Sequence, residues 1–290
     1  MRVPGIAIGL LLTAAMLPAL DWPVQKRIVT GTFGELRGDR FHCGIDLGGG
    51  EQDVFPVHEG ELIFSADQEE SRCSVPRGLG TIVVLSHQDG LLSVYGHLKA
   101  GSVSADRRNY PAGGVRVGVS GDTGSSSGTH LHLMLIDRES GAFLNPLGLL
   151  PPLADRQAPV VRSIEARAEG FSKALEDGMV LPSVPVEILA ETYDPRADVP
   201  FVWPMAPYSV RLSLNGKEVS RILFESVVVK EGKARLSGTN LGAKDVYAGD
   251  RLLRCATINP TRGESHLIVT VTDFAGNESV REAFLKTADR

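Results

Sequence analysis

Cysteine is scarce, with three in 290 residues: Cys43, Cys73 and Cys255. An odd count excludes complete pairing within one chain. No two stand in C-x-x-C spacing, which rules out a zinc ribbon. Net charge is only −5, with both signs interspersed. That removes the electrostatic case for nucleic acid or an anionic membrane surface as a ligand. Beyond the N-terminus no apolar run approaches the ~20 residues that a bilayer-spanning helix needs. Before residue 150 no segment sustains an apolar period of 3.6, so amphipathic helices are not expected there.

What is present describes an exported β protein. Hydrophobic content of 42% and charged content of 22% suit a globular chain with a proper core. Thirty-two glycines fit a turn-rich β structure. Residues 1–20 read as a signal peptide or, if uncleaved, an N-terminal anchor. Arg2 is followed by an apolar stretch from Gly5 to Leu17, then Leu17-Pro18-Ala19 before Asp21. The remainder would therefore lie in the periplasm or cell envelope, touching membrane only if that segment stays attached.

Strand patterns fill the rest. Glu61 to Ser65, Thr81 to Ser86, Leu91 to Tyr95, Val115 to Val119 and Leu131 to Ile136 are short runs between glycine-bearing turns. Residues 21–152 are thus expected to form a compact antiparallel β domain. Prolines at 151, 152 and 159 mark a short linker over 153–158. Residues 159–290 alternate again, at Val184 to Ala190, Tyr208 to Leu214, Val227 to Val229 and His266 to Thr272, as in an immunoglobulin-like β-sandwich. Leu236 to Tyr247 suits a short helix or a loop equally.

The residues with chemistry are His42 and Asp46, in H-x-x-x-D, and His130 and His132, in H-x-H. Two imidazoles and a carboxylate are the ligand set of a catalytic zinc with one open position. On a strand, residues two apart share a face at about 6.6 Å, so one histidine of H-x-H can bind metal while the other faces substrate. A straight strand would hold His42 and Asp46 about 13 Å apart, too far to share an ion. Gly44 between them permits a bend. His97 ends a strand after Gly96, where a side chain can lean over a cleft. The plain alternative for each is an ordinary surface histidine, and that reading is preferred for His58, His87 and His266. Cys43 is expected to be a buried thiol behind the site, and Cys43 and Cys73 could bridge. Gly124-Ser125-Ser126-Ser127-Gly128 places serine between glycines, but no helix pattern follows, which disfavours a serine nucleophile.

Five ordered blocks carry a resemblance. Arg40 to Leu47, Phe55 to Gly60, Gly80 to Leu98, Val117 to His132 and Leu144-Asn145-Pro146-Leu147 together resemble the LytM/lysostaphin-type zinc endopeptidases of bacterial cell walls. The resemblance implies that His42, Asp46 and His132 bind zinc, while His97 and His130 flank a zinc-activated water and the scissile carbonyl. It also implies the peptide part of peptidoglycan as substrate. One subgroup of this family is catalytically dead and activates cell-wall amidases, so an amidase or regulatory protein is the alternative partner. Those members lack several of these ligands, whereas all five positions are filled here. Cys43, where a small residue or threonine is common, and a lengthened Ala66 to Arg77 loop depart from the pattern. The resemblance covers under half of the chain.

Overall fold

The computed structural model describes residues 20–68, 78–103, 107–197, 199 and 205–287. The expected signal segment, Cys73 and most of the 66–77 loop lie outside the described residues. No helix among those described is long and apolar enough to cross a membrane.

The chain is all-β, and its only α-helix among the described residues is Ala243–Val246. That helix falls inside the stretch where sequence did not separate helix from loop. The first half is built on one large antiparallel sheet. Its centre runs Leu131–Asp137, Leu91–Leu98, Thr81–Ser86, Gly60–Ala66 in spatial order. Alternation explains the pairing faces: in Thr81–Ser86 every second residue (Thr81, Val83, Leu85) is buried. Leu91–Leu98 is central and almost wholly buried, as expected of a strand covered on both faces. Ile45, Leu47, Tyr95, Leu131 and Leu133 belong to the core beneath.

Register matters most around His132. On one edge of its strand His132 lies opposite Asp46 of Ile45–Leu47. On the other edge it lies opposite Gly96, next to His97. Sheet pairing therefore gathers residues that are far apart in sequence.

The second half packs two five-stranded sheets over one core. One sheet is centred on Val186–Tyr193 and the other on Glu264–Thr272. Leu267, Val269 and Val271 point inward from the latter, between more exposed neighbours. Residues 151–159 carry no strand.

The two halves interlock. Val227 to Val229, read from sequence as part of the later sandwich, lies in the strand Ser226–Lys230, which pairs instead with Phe143–Leu144. It thereby extends the first sheet. Phe33 and Phe41 sit in the core of the second half, with Phe41 and Phe224 ring centroids 6.4 Å apart. Asn145 Nδ2 donates to Phe224 O, and Tyr247 Oη to Gly34 O, both at 2.8 Å. A break in composition at paired prolines signals where a strand pattern stops. It does not signal which sheet a later hairpin joins.

One expectation fails outright. His87 is not a surface residue; it is 5% exposed. Its Nδ1 lies 2.8 Å from Glu59 O and its Nε2 lies 2.8 Å from Ser93 Oγ. A turn position exposed the backbone, but the ring folded inward onto polar partners that sequence did not reveal.

Candidate metal centre

The chain bends at Gly44, between Arg40–Phe41 and Ile45–Leu47. The bend turns His42 and Asp46 toward one point. Glycine is required there by proximity: a Cβ would meet Leu133 O at 2.4 Å and the His132 ring at 2.9 Å. Gly31, across the pairing from Asp46, is constrained similarly, because a Cβ would lie 2.5 Å from Asp46 Oδ2.

Three donor atoms converge. Asp46 Oδ1 lies 3.1 Å from His42 Nε2 and 2.8 Å from His132 Nδ1, and those two nitrogens are 3.1 Å apart. All three residues are buried. Tetrahedral zinc with bonds of about 2.0–2.2 Å separates its ligands by roughly 3.3 Å, so a few tenths of an ångström of expansion would admit the ion. His42 Nδ1 is 2.7 Å from Thr32 O. A carbonyl only accepts, so Nδ1 carries the proton and Nε2 presents its lone pair to the centre. The residues present therefore fit a zinc ion.

Electrostatics agree with an ionised ligand. Burial alone would raise the Asp46 carboxyl, but His42 and hydrogen bonds from His132 and His42 hold it well below the usual carboxylate range. Burial pushes the His132 imidazole down to about 4, outweighing its bond to Asp46. His42 moves the other way: burial opposes its charge, and the adjoining Asp46 carboxylate overcomes that and raises it.

His97 and His130 stand beside this trio. Their ring centroids are 4.8 Å apart, and His97 is 5.8 Å from His132. His97 Nδ1 donates to Thr123 O and His130 Nδ1 to Gly128 O, both at 2.7 Å. Each therefore has Nε2 available as an acceptor, and His130 Nε2 lies 3.6 Å from Asp46 Oδ1. His97 adopts φ +57, a left-handed conformation uncommon for a residue with a Cβ and often found at functional sites. Burial lowers its pKa, keeping the ring neutral at neutral pH. Five residues named from sequence thus lie around one cluster.

Sequence reading missed the supporting layer. Arg37 Nη2 bonds Asp46 Oδ2 at 2.9 Å and Glu35 Oε2 at 2.8 Å. Glu35 in turn accepts from Thr32 N at 2.6 Å. Thr32 Oγ1 donates to Ala206 O of the second half at 2.9 Å. No motif marks these residues; only proximity to the bend at Gly44 could have suggested them. Cys43 is half-buried, and burial pushes its thiol up to about 11, so it is an inert neighbour that packs toward the second core.

Residues 40–146 match the model of peptidase family M23. A second family model matches residues 158–287. The murein hydrolase activators NlpD of Salmonella typhimurium and Escherichia coli K12 are 29% and 28% identical over 140 residues, 48% of this chain. The chain spans about a third of their length (33%). Among solved structures, the catalytic domain of lysostaphin from Staphylococcus simulans is 22% identical at a TM-score of 0.34, covering 43% of this chain and 90% of that one. The catalytic domain of the M23 protein EnpA from Enterococcus faecalis is 26% identical at a TM-score of 0.33, covering 43% and 89%.

Proposed function

We propose that the peptidase family M23 domain of this chain is a zinc endopeptidase of the cell envelope, hydrolysing peptide bonds in peptidoglycan cross-links or stem peptides. The observation that carries this reading is the convergence of His42 Nε2, Asp46 Oδ1 and His132 Nδ1 within hydrogen-bond distance, with His97 and His130 alongside. His42, Asp46 and His132 would hold the ion. Bound zinc supplies Lewis acidity, polarising a carbonyl and lowering the pKa of water.

The chain's own groups do the rest. Thr32 O fixes the His42 ring and its tautomer. Arg37 occupies Asp46 Oδ2 and leaves Oδ1 facing the imidazoles. His97, neutral and with Nε2 unprotonated, accepts a proton from the attacking water. His130, whose ring centroid is 4.8 Å from that of His97, is placed to hydrogen-bond the developing oxyanion. The two imidazoles are interchangeable in these roles on geometry alone.

The NlpD relatives support a second reading, in which the domain binds and activates a cell-wall amidase without cutting anything. One experiment separates the two. The purified chain is incubated with peptidoglycan sacculi, alone and with an amidase, and new amines and released peptides are identified by mass spectrometry. Endopeptidase action predicts new amines from the chain alone, lost in His132→Ala. Product formation only with amidase present, unchanged in His132→Ala, would establish the activator instead.

A further inference from the structure

We propose that Asp155, Asp194 and Asp273 form a second cation site, suited to a hard divalent ion of the calcium class, which ties the 151–159 connection to both sheets of the second half. One carboxylate oxygen from each lies within 4.8 Å of the other two. The three come from different elements. Asp155 lies in the connection, Asp194 follows Val186–Tyr193 and Asp273 follows Glu264–Thr272, one strand from each of the two sheets.

The hydrogen-bond accounting points to a missing partner. Asp155 Oδ1 accepts from Gln157 N at 2.9 Å, and its Oδ2 from Arg196 Nη1 at 3.2 Å. Asp273 Oδ1 and Oδ2 accept from Asn277 N and Nδ2, both at 2.8 Å. Asp194 is 4% exposed, and its Oδ1 is buried with no hydrogen-bond partner among the described residues. A buried carboxylate oxygen without a partner is strongly unfavourable, and native structures rarely leave one so. When all three are ionised, the carboxylates outnumber the one guanidinium, Arg196, that pairs with them among the described residues, and a divalent cation would offset that excess.

The donor set chooses the kind of ion. All three ligands are carboxylates, and the cluster holds no imidazole or thiol. Oxygen-only sites favour calcium or magnesium over zinc. Calcium tolerates the irregular geometry that three separate elements impose and accepts water for its remaining positions. A cavity of about 70 Å³ borders the cluster, lined by Trp22, Pro151, Asp155, Asp194 and Phe274 among others. It is large enough for two or so waters. In the metal-free chain, burial and then the neighbouring Asp273 and Asp155 push the Asp194 carboxyl up to about 8. A proton there would be the stand-in for the ion.

The site is tested on the full chain after removal of metals. Terbium, an oxygen-seeking calcium substitute, is titrated in while tryptophan is excited, since Trp22 lines the adjoining cavity. Sensitised emission should appear, be displaced by calcium, and persist in His132→Ala. Calcium at about 100 times its Kd should raise Tm by roughly 5 °C in wild type and in His132→Ala alike. Asp194→Asn should abolish both responses. Asp155→Asn, in the connection, gives the same readout should Asp194→Asn fail to fold. Absence of emission and of a calcium-dependent Tm rise in wild type overturns the proposal. So does an undiminished calcium response in folded Asp194→Asn or Asp155→Asn. If Asp194→Asn is more stable than an unresponsive wild type, the carboxyl is simply protonated and no ion binds.

Discussion

Two buried clusters in this molecule each contain aspartate, and their neighbours set them apart. Asp46 is surrounded by imidazoles, and His42 and His132 beside it hold its carboxyl well below the usual range despite burial. Asp194 faces two further carboxylates, and its proton is held up to about 8. Nitrogen and oxygen donors together suit zinc, whereas oxygen alone suits a harder ion. Burial by itself therefore says little about what an acidic group does. The partners within a few ångströms decide whether it stays ionised or holds its proton.

The sharpest way to break this contrast is Gly44→Ala. A Cβ would press on Leu133 O and the His132 ring, displacing a proposed zinc ligand. Zinc content and cleavage should both fall to background, while the terbium signal at the aspartate cluster remains. Full zinc stoichiometry in the variant would mean that this wall of the site yields. His97→Ala should keep zinc, because His97 is outside the donor trio, yet lower kcat by about 10²–10⁴-fold. Loss of metal together with activity would make His97 a structural support instead of a proton acceptor.

Phe224→Ala addresses how far the imidazole cluster leans on the second half. Phe224 is fully buried against Phe41 and Tyr247, so truncation should cost about 3–5 kcal/mol by denaturant unfolding. A loss well under 1 kcal/mol would show that the two halves touch without sharing a core. The smallest effect concerns a buried histidine outside both clusters. Burial lowers the His87 pKa, against the pull of Glu59 O. A depressed folded-state pKa means that the neutral ring contributes stability above the unfolded value of about 6.5. That contribution is lost as pH falls through the lowered folded value. His87→Gln should flatten the dependence of unfolding free energy as pH falls below about 6.5; an unchanged slope would assign it to other groups.

Much of the first half was legible because its signals are local. Thr81 to Ser86 and Leu131 to Ile136 alternate or run apolar between glycine turns, and both are strands. His42, Asp46, His97, His130 and His132 stood out as chemistry-bearing types in short motifs. His87 was misread because a turn signal reports backbone, whereas burial of a ring depends on what packs over it. Val227 to Val229 was recognised as strand-like, but its partner, Phe143–Leu144, lies far upstream, and alternation says nothing about partners.

Composition and motif spacing were enough to point to an all-β chain and to single out a set of imidazoles and a carboxylate. Those properties follow from residue types and from short-range periodicity, which survive in the unfolded chain. Folding alone set His132 opposite Asp46, aimed Nδ1 of one ring and Nε2 of the other at a shared oxygen, and brought Arg37 and Thr32 behind them. It also gathered Asp155, Asp194 and Asp273, which have no motif in common. Sheet register and the packing of separate strand ends create such neighbours, and neither is encoded in any one stretch of sequence.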